Sequence, residues 1–161
     1  MNNPLRLLID TNVWLDSYLP ERVNHEKSLE MLRLATAKEA ALLFGVTKLE
    51  TLFYLLAHEF KSVIKREKGS VSAHDAAIAQ TFAWGCIDNV REIATAVGAD
   101  EADIWLACKY RTINNDLEDN MVFAAAERAQ ADYVVTWDED MLKSPLAKVA
   151  TPSQIVEILK L

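Results

Sequence analysis

Three short runs of this chain are apolar at consecutive positions and not at alternate ones: Leu7-Leu8-Ile9, Ala41-Leu42-Leu43-Phe44 and Tyr133-Val134-Val135. A strand with one wet face alternates apolar and polar residues, whereas a strand buried on both faces reads as an unbroken apolar run. Leu5 to Ile9, Ala41 to Val46 and Tyr133 to Thr136 therefore read as interior strands of a sheet covered on both sides. Longer segments with helical periodicity lie between them. Strands that alternate with helices favour parallel pairing, because a parallel neighbour needs a long crossover connection. The fold class is α/β, with a parallel sheet between layers of helices.

The helical segments can be placed from their punctuation. Val13 to Tyr18 makes a brief helix before Pro20, and Asn24 to Lys38 makes a second with Leu29, Met31 and Leu32 inward. Thr47 opens a long helix in which Leu49, Leu52, Phe53, Leu56, Phe60, Val63 and Ile64 recur at helical spacing. Lys61, Lys65, Arg66 and Lys68 crowd its last turns, where the helix dipole favours cations, and Gly69 ends it. Ser72 caps a helix that runs to about Asp88. Asn89 to Val97 admits two readings: Val90, Ile93 and Ala96 continue that helix, or Val90 to Thr95 forms a strand. Asp100-Glu101-Ala102-Asp103 starts a helix through about Arg111, and Leu117 to Gln130 makes an alanine-rich one. Asp138 to Leu142 is a short turn or helix, and Val149 centres a small strand. Pro152 takes the first position of a last helix, with Thr151 as its cap. With 161 residues, no repeat and no linker, residues 1–161 form a single domain.

Composition excludes several classes. No stretch approaches the roughly 20 apolar residues of a membrane helix, and the N-terminus lacks a signal-peptide layout, so the default location is the cytoplasm. Cys86 and Cys108 form no CxxC pair and read as buried free thiols. His25, His58 and His74 are scattered and read as surface or helix-face residues. The net charge of −7 does not attract nucleic acid through the overall field. That argument weakens if part of the acidity binds cations, which invert the local sign.

The acids themselves are arranged for that. In Leu7-Leu8-Ile9-Asp10-Thr11-Asn12 a buried strand stops at a carboxylate, and two polar side chains follow. Glu50, Asp119 and Asp138 also stand next to helix starts. Taken singly, each acid has a structural role. Asp10 and Asp138 can cap the turns that follow their strands, Thr47-Lys48-Leu49-Glu50 has the capping-box form, and Asp119 follows the possible cap Asp116. Taken together, Asp10, Glu50 and Asp138 fit the carboxyl ends of parallel strands, where open α/β sheets bind ligands, while Asp119 must reach the site from a different direction. Four carboxylates in one cleft repel each other, and a hard cation relieves the conflict. Mg²⁺ or Mn²⁺ suits this oxygen set better than zinc, because no Cys or His accompanies it. Spacing alone does not establish that the acids converge.

The ordered motifs resemble the PIN-domain (PilT N-terminal) nuclease family. Leu-Ile-Asp10-Thr-Asn12 is similar to its opening motif and Val-Thr-Lys-Leu-Glu50-Thr-Leu to its second acid. Leu-Glu-Asp119-Asn-Met-Val-Phe-Ala-Ala-Ala resembles the third-acid helix. Ala-Asp-Tyr-Val-Val-Thr136-Trp-Asp138 resembles the fourth block, and Thr151-Pro152-Ser153 the usual ending. The resemblance implies a PIN-like three-layer α/β/α fold with a central parallel sheet of about five strands. It also implies that Val90 to Thr95 is strand and not helix.

The activity implied is hydrolysis of RNA phosphodiester bonds with Mg²⁺ or Mn²⁺, held by Asp10, Glu50, Asp119 and Asp138. Thr11, Asn12 and Thr136 would support those ligands or contact substrate. Glu118, Asp116 and Asp140 are neighbouring acids between which the resemblance does not choose. Trp137 stands where family members often carry a basic residue, leaving either stacking on a base or core packing. Lys48 lies near Glu50, and Lys109 and Arg111 precede the third acid; these are the candidate local cations for substrate. The family further implies an RNA substrate, a cognate antitoxin partner as in modules of the VapBC type, and a homodimer. Two rival classes are a non-catalytic PIN-like binding or scaffold module and a metal-dependent phosphatase of small phosphate esters. The intact acids argue against the first. Against the second, the chain has no Asp-x-Asp at the first strand and only four glycines, with no phosphate-cradling loop.

Overall fold

The structure is a computed structural model and describes residues 3–161. Five strands form one sheet: β1 (Arg6–Ile9), β2 (Ala41–Gly45), β3 (Thr95–Val97), β4 (Tyr133–Val135) and β5 (Val149–Ala150). Their order is β3-β2-β1-β4-β5 and every pairing is parallel. The helices among the described residues are α1 (Thr11–Tyr18), α2 (His25–Ala37), α3 (Leu49–Lys68), α4 (Ala73–Ile93), α5 (Glu101–Tyr110), α6 (Leu117–Arg128), α7 (Glu139–Leu142) and α8 (Pro152–Lys160). None is long and apolar enough to cross a membrane.

The register explains the unbroken apolar runs. Leu8 of β1 lies opposite Leu43 of β2 and Val134 of β4. These three share a core with Val122, Phe123 and Ala126 of α6. Their neighbours Leu7, Ile9, Leu42, Phe44 and Val135 point the other way and join Val13, Trp14, Met31, Leu56 and Ile155. Alternate side chains thus meet two different helical layers, and neither set reaches water. Alanines on α6 let its backbone lie close to the sheet, and burial of Phe123 there contributes roughly 2–3 kcal/mol.

One expectation is corrected. Val90 to Thr95 is not a strand: α4 continues to Ile93, and β3 begins at Thr95. Ala79, Ala83, Ile87 and Val90 recur at helical spacing and are all buried. The apolar side chains up to Ile93 therefore belong to the helix, which ends where Ala94 turns extended at φ −137°, ψ 156°. The strand that follows is an edge strand whose Thr95 and Ala96 are exposed, so no buried run marks it. Two smaller differences concern local chemistry. A 3₁₀ turn, Val46–Lys48, precedes α3, and no side chain caps the helix there, so the Thr47–Glu50 capping box does not form. Cys86 is buried as expected, but Cys108 is exposed.

Elsewhere the caps are strong. Ser72 and Asp75 form a reciprocal capping box at the start of α4, and Lys68 bonds Asp75 at 2.8 Å. The Lys68 ammonium, with the Ser72 amide and hydroxyl, holds the Asp75 carboxyl well below the usual carboxylate range. A carboxylate depressed in the folded state stabilises the protein above its unfolded pKa, and the benefit is lost as pH falls toward the folded value. Asp75→Asn should therefore lower the melting temperature at neutral pH. The deficit should narrow progressively below the ordinary Asp pKa of about 3.9. Melting curves recorded across the acid range test this; a deficit independent of pH would mean that charge plays no part in the cap.

Candidate active site

The strand order reverses at β1. From β1 the chain crosses to β2 on one side, and β4 later docks on the other. Such a switch point opens a crevice beyond the carboxyl ends of the two central strands. Asp10 leaves β1 there, and Thr136 and Asp138 leave β4.

Asp10 is fixed by its backbone and by both carboxylate oxygens. Its amide donates to the Val135 carbonyl at 3.0 Å, extending the sheet by one residue. Oδ1 accepts from the Thr11 amide at 2.7 Å and so caps α1. Oδ2 accepts from Asn12 Nδ2 at 2.9 Å and from Thr136 Oγ1 at 2.8 Å. The fully buried Thr136 closes the ring, because its Oγ1 also accepts from Asn12 Nδ2 at 2.9 Å and from the Asp138 amide at 3.0 Å. Thr11 acts through its amide, since its Oγ1 is buried without a partner.

The remaining acids arrive on helix starts. Asp138 caps α7 through Oδ1, which accepts from the amides of Asp140 and Met141 at 2.8 and 3.0 Å. Asp116 caps α6 and accepts from the Asp119 amide at 3.0 Å, which places Asp119 in the first turn. Capping and cleft lining are thus one geometry, because a cap sits where the helix start faces the sheet edge. The positive end of each helix dipole favours the carboxylate it meets.

Together these residues line a cleft of about 520 Å³. Asp10, Thr11, Asn12, Asp119 and Asp138 all face it, and so do Asp116, Glu118 and Asp140. Glu50 does not: it is exposed and lies outside the lining, while Lys48, Thr51 and Leu55 of the same segment face inward. The 3₁₀ turn sets this phase, and positions three and seven residues past Lys48 then share its face. Arg22 also lines the cleft, carried there by the loop between α1 and α2 and held against Asp16. No local pattern in the sequence marks Arg22. Lys109 and Arg111 do not line the cleft. Trp137 is resolved as a packing residue: its ring packs against the core, and its Nε1 donates to the buried Ser28 Oγ at 2.9 Å.

The electrostatics are those of crowded acids. Burial pushes the Asp10 carboxyl up, hydrogen bonds from Thr136 and Thr11 and the charge of Lys48 oppose it, and Asp138 adds to it. Burial likewise raises Asp119, helped by the charges of Asp116, Asp138 and Asp10. Among the described residues no three acids, histidines or cysteines stand close enough to clasp an ion. The donor set nevertheless suits a hard divalent cation, since the side chains facing the cleft offer oxygen donors and their mutual repulsion is what a cation removes.

The PIN-domain family model matches residues 6–140. The chain belongs to the PIN-domain family. The matched segment of this PIN domain contains Asp10, Glu50, Asp119 and Asp138, and ends before β5 and α8. Its architecture is that of VapC20 from Mycobacterium tuberculosis, a sarcin-ricin loop cleaving toxin. The TM-score is 0.59 at 13% identity, over 84% of this chain and 92% of that one. It is likewise that of VapBC2 from Rickettsia felis, solved bound to a DNA fragment from its promoter. There the TM-score is 0.57 at 12% identity, over 90% of this chain and 97% of that one. At these identities the likeness is one of fold. No curated protein matches by sequence.

Proposed function

We propose that this PIN domain is a divalent-metal-dependent endoribonuclease, with Asp10, Asp119 and Asp138 as its central acids. The observation that carries the reading is geometric: Asp10, Asp119 and Asp138 come from three separate parts of the chain and line one cleft. These acids would hold Mg²⁺ or Mn²⁺. When bound, such a cation would acidify a water molecule and neutralise charge on the phosphoryl oxygens. Asn12 and Thr136 hold the Asp10 carboxylate in one orientation. Lys48 supplies positive charge in the cleft, and an acid left free of the cation, among Asp116, Glu118 and Asp140, can accept a proton from water. For Glu50 the proposal rests on the family motif alone, since its side chain stands outside the lining.

The toxin role is proposed on the similarity to VapC20 and VapBC2. A cognate antitoxin is proposed as the partner on the same similarity.

Incubation of single-stranded RNA with Mn²⁺, beside an EDTA control, tests the chemistry. Cleavage should require the ion. Asp119→Asn should reduce it by at least about a hundredfold, and Glu50→Gln should reduce it less. Undiminished cleavage in EDTA would reject the metal requirement, and full activity of Asp119→Asn would reject the site.

A further inference from the structure

The acidic cleft already contains a cation. Lys48 ends the 3₁₀ turn before α3, and its stem runs beside Gly45, where an added Cβ would lie 3.7 Å from Lys48 Cγ. Its side chain is only 14% exposed, although an unpaired ammonium is costly to bury. The charge is matched by Glu118 at the start of α6. Among the described residues this is the one ion pair that joins the α3 side of the cleft to α6. The same ammonium acts on Asp10. The other cation of the lining, Arg22, is engaged with the buried Asp16.

We propose that Lys48 is a positioning residue: the resident counter-ion of the cleft, which ties α3 to α6 in the metal-free protein and sets the affinity for the divalent cation. The proposal rests on the metal-dependent reading above. A divalent ion held by Asp10, Asp119 and Asp138 and an ammonium that lines the same cleft repel each other. Their coupling is reciprocal: Lys48 weakens the ion's hold, and the ion loosens Lys48 from Glu118. Lysine here therefore does the opposite of a ligand, and a protein with an uncharged side chain of similar length at this position should bind the ion better.

The test is calorimetric titration of Mn²⁺ alone into wild type, Lys48→Met and Lys48→Arg. Lys48→Met should bind Mn²⁺ on the order of tenfold more tightly, whereas Lys48→Arg, which keeps the charge, should stay near wild type. In EDTA, Lys48→Met should melt at a lower temperature, and saturating Mn²⁺ should close the gap. Lys48→Gln serves as a second neutral variant if the methionine variant does not fold. A packing role alone would lower melting without changing Mn²⁺ affinity, and that result would overturn the proposal. If wild type binds Mn²⁺ and neither neutral variant binds it more tightly, this proposal falls while the metal reading stands. If no protein of the set binds Mn²⁺, the metal reading falls and the proposal falls with it.

Discussion

Asp10→Asn should abolish Mn²⁺-dependent RNA cleavage while the fold survives. Asparagine keeps the size of aspartate and removes its charge. Its single oxygen can still accept from the Thr11 amide, so the cap on α1 is retained. Its new amide would face Asn12 Nδ2 and Thr136 Oγ1, both of which donate to Asp10 Oδ2 in the native protein, so two buried pairings are lost. That loss costs about 2–3 kcal/mol. It is offset by removal of a buried negative charge whose desolvation already pushes the Asp10 carboxyl up. Stability should therefore change by no more than about 1–2 kcal/mol in either direction. Cleavage should fall at least about a thousandfold, equivalent to roughly 4 kcal/mol of transition-state stabilisation. Single-turnover RNA cleavage measured beside melting curves separates the two effects. A folded variant with wild-type cleavage would remove Asp10 from the chemistry.

The second large effect belongs to Thr136→Val, which preserves shape and β-branching but deletes a buried hydroxyl. Thr136 Oγ1 donates to Asp10 Oδ2 and accepts from Asn12 Nδ2 and the Asp138 amide. Valine leaves Asn12 with its bond to Asp10 but takes this acceptor from Asp138. The cost should be about 2–3 kcal/mol, because an orphaned buried donor loses its full solvation. The orientation of Asp10 and the start of α7 loosen together, and cleavage should drop about 10- to 100-fold. Thr136→Ser should recover most of both losses, since it restores the hydroxyl. A valine variant as stable and active as wild type would show that the ring around Asp10 holds nothing in place.

The interior of the sheet was readable from sequence because burial on both faces writes itself as consecutive apolar residues. Leu7 to Ile9, Leu42 to Phe44, and Val134 with Val135 are strand residues, and all are buried. β3 was not readable in its true place. An edge strand with exposed side chains has no such signature, and Val90 and Ile93 before it serve a helix. The same contrast holds around the cleft. Asp10 and Asp138 could be expected at the sheet edge because they closely follow buried runs. Glu50 and Lys48 could not be assigned their faces. A 3₁₀ turn advances 120° per residue and an α-helix 100°, so the phase of α3 depends on where one passes into the other. Arg22 reaches the cleft from a loop, and Trp137 owes its role to Ser28 on α2, a contact that no local pattern announces.

Asp10 and Thr136 are separated by 126 positions, yet they share the hydrogen bond at the centre of the cleft. β1 reaches its β2 neighbour early in the chain, but its other neighbour, β4, is among the last strands to be made. On a ribosome the N-terminal elements emerge and begin to pack first. Until β4 emerges and docks, Asp10 has neither Thr136 nor Asp138 beside it. The nascent polypeptide therefore holds the first acid without its partners, and translation itself delays the moment at which the cleft exists.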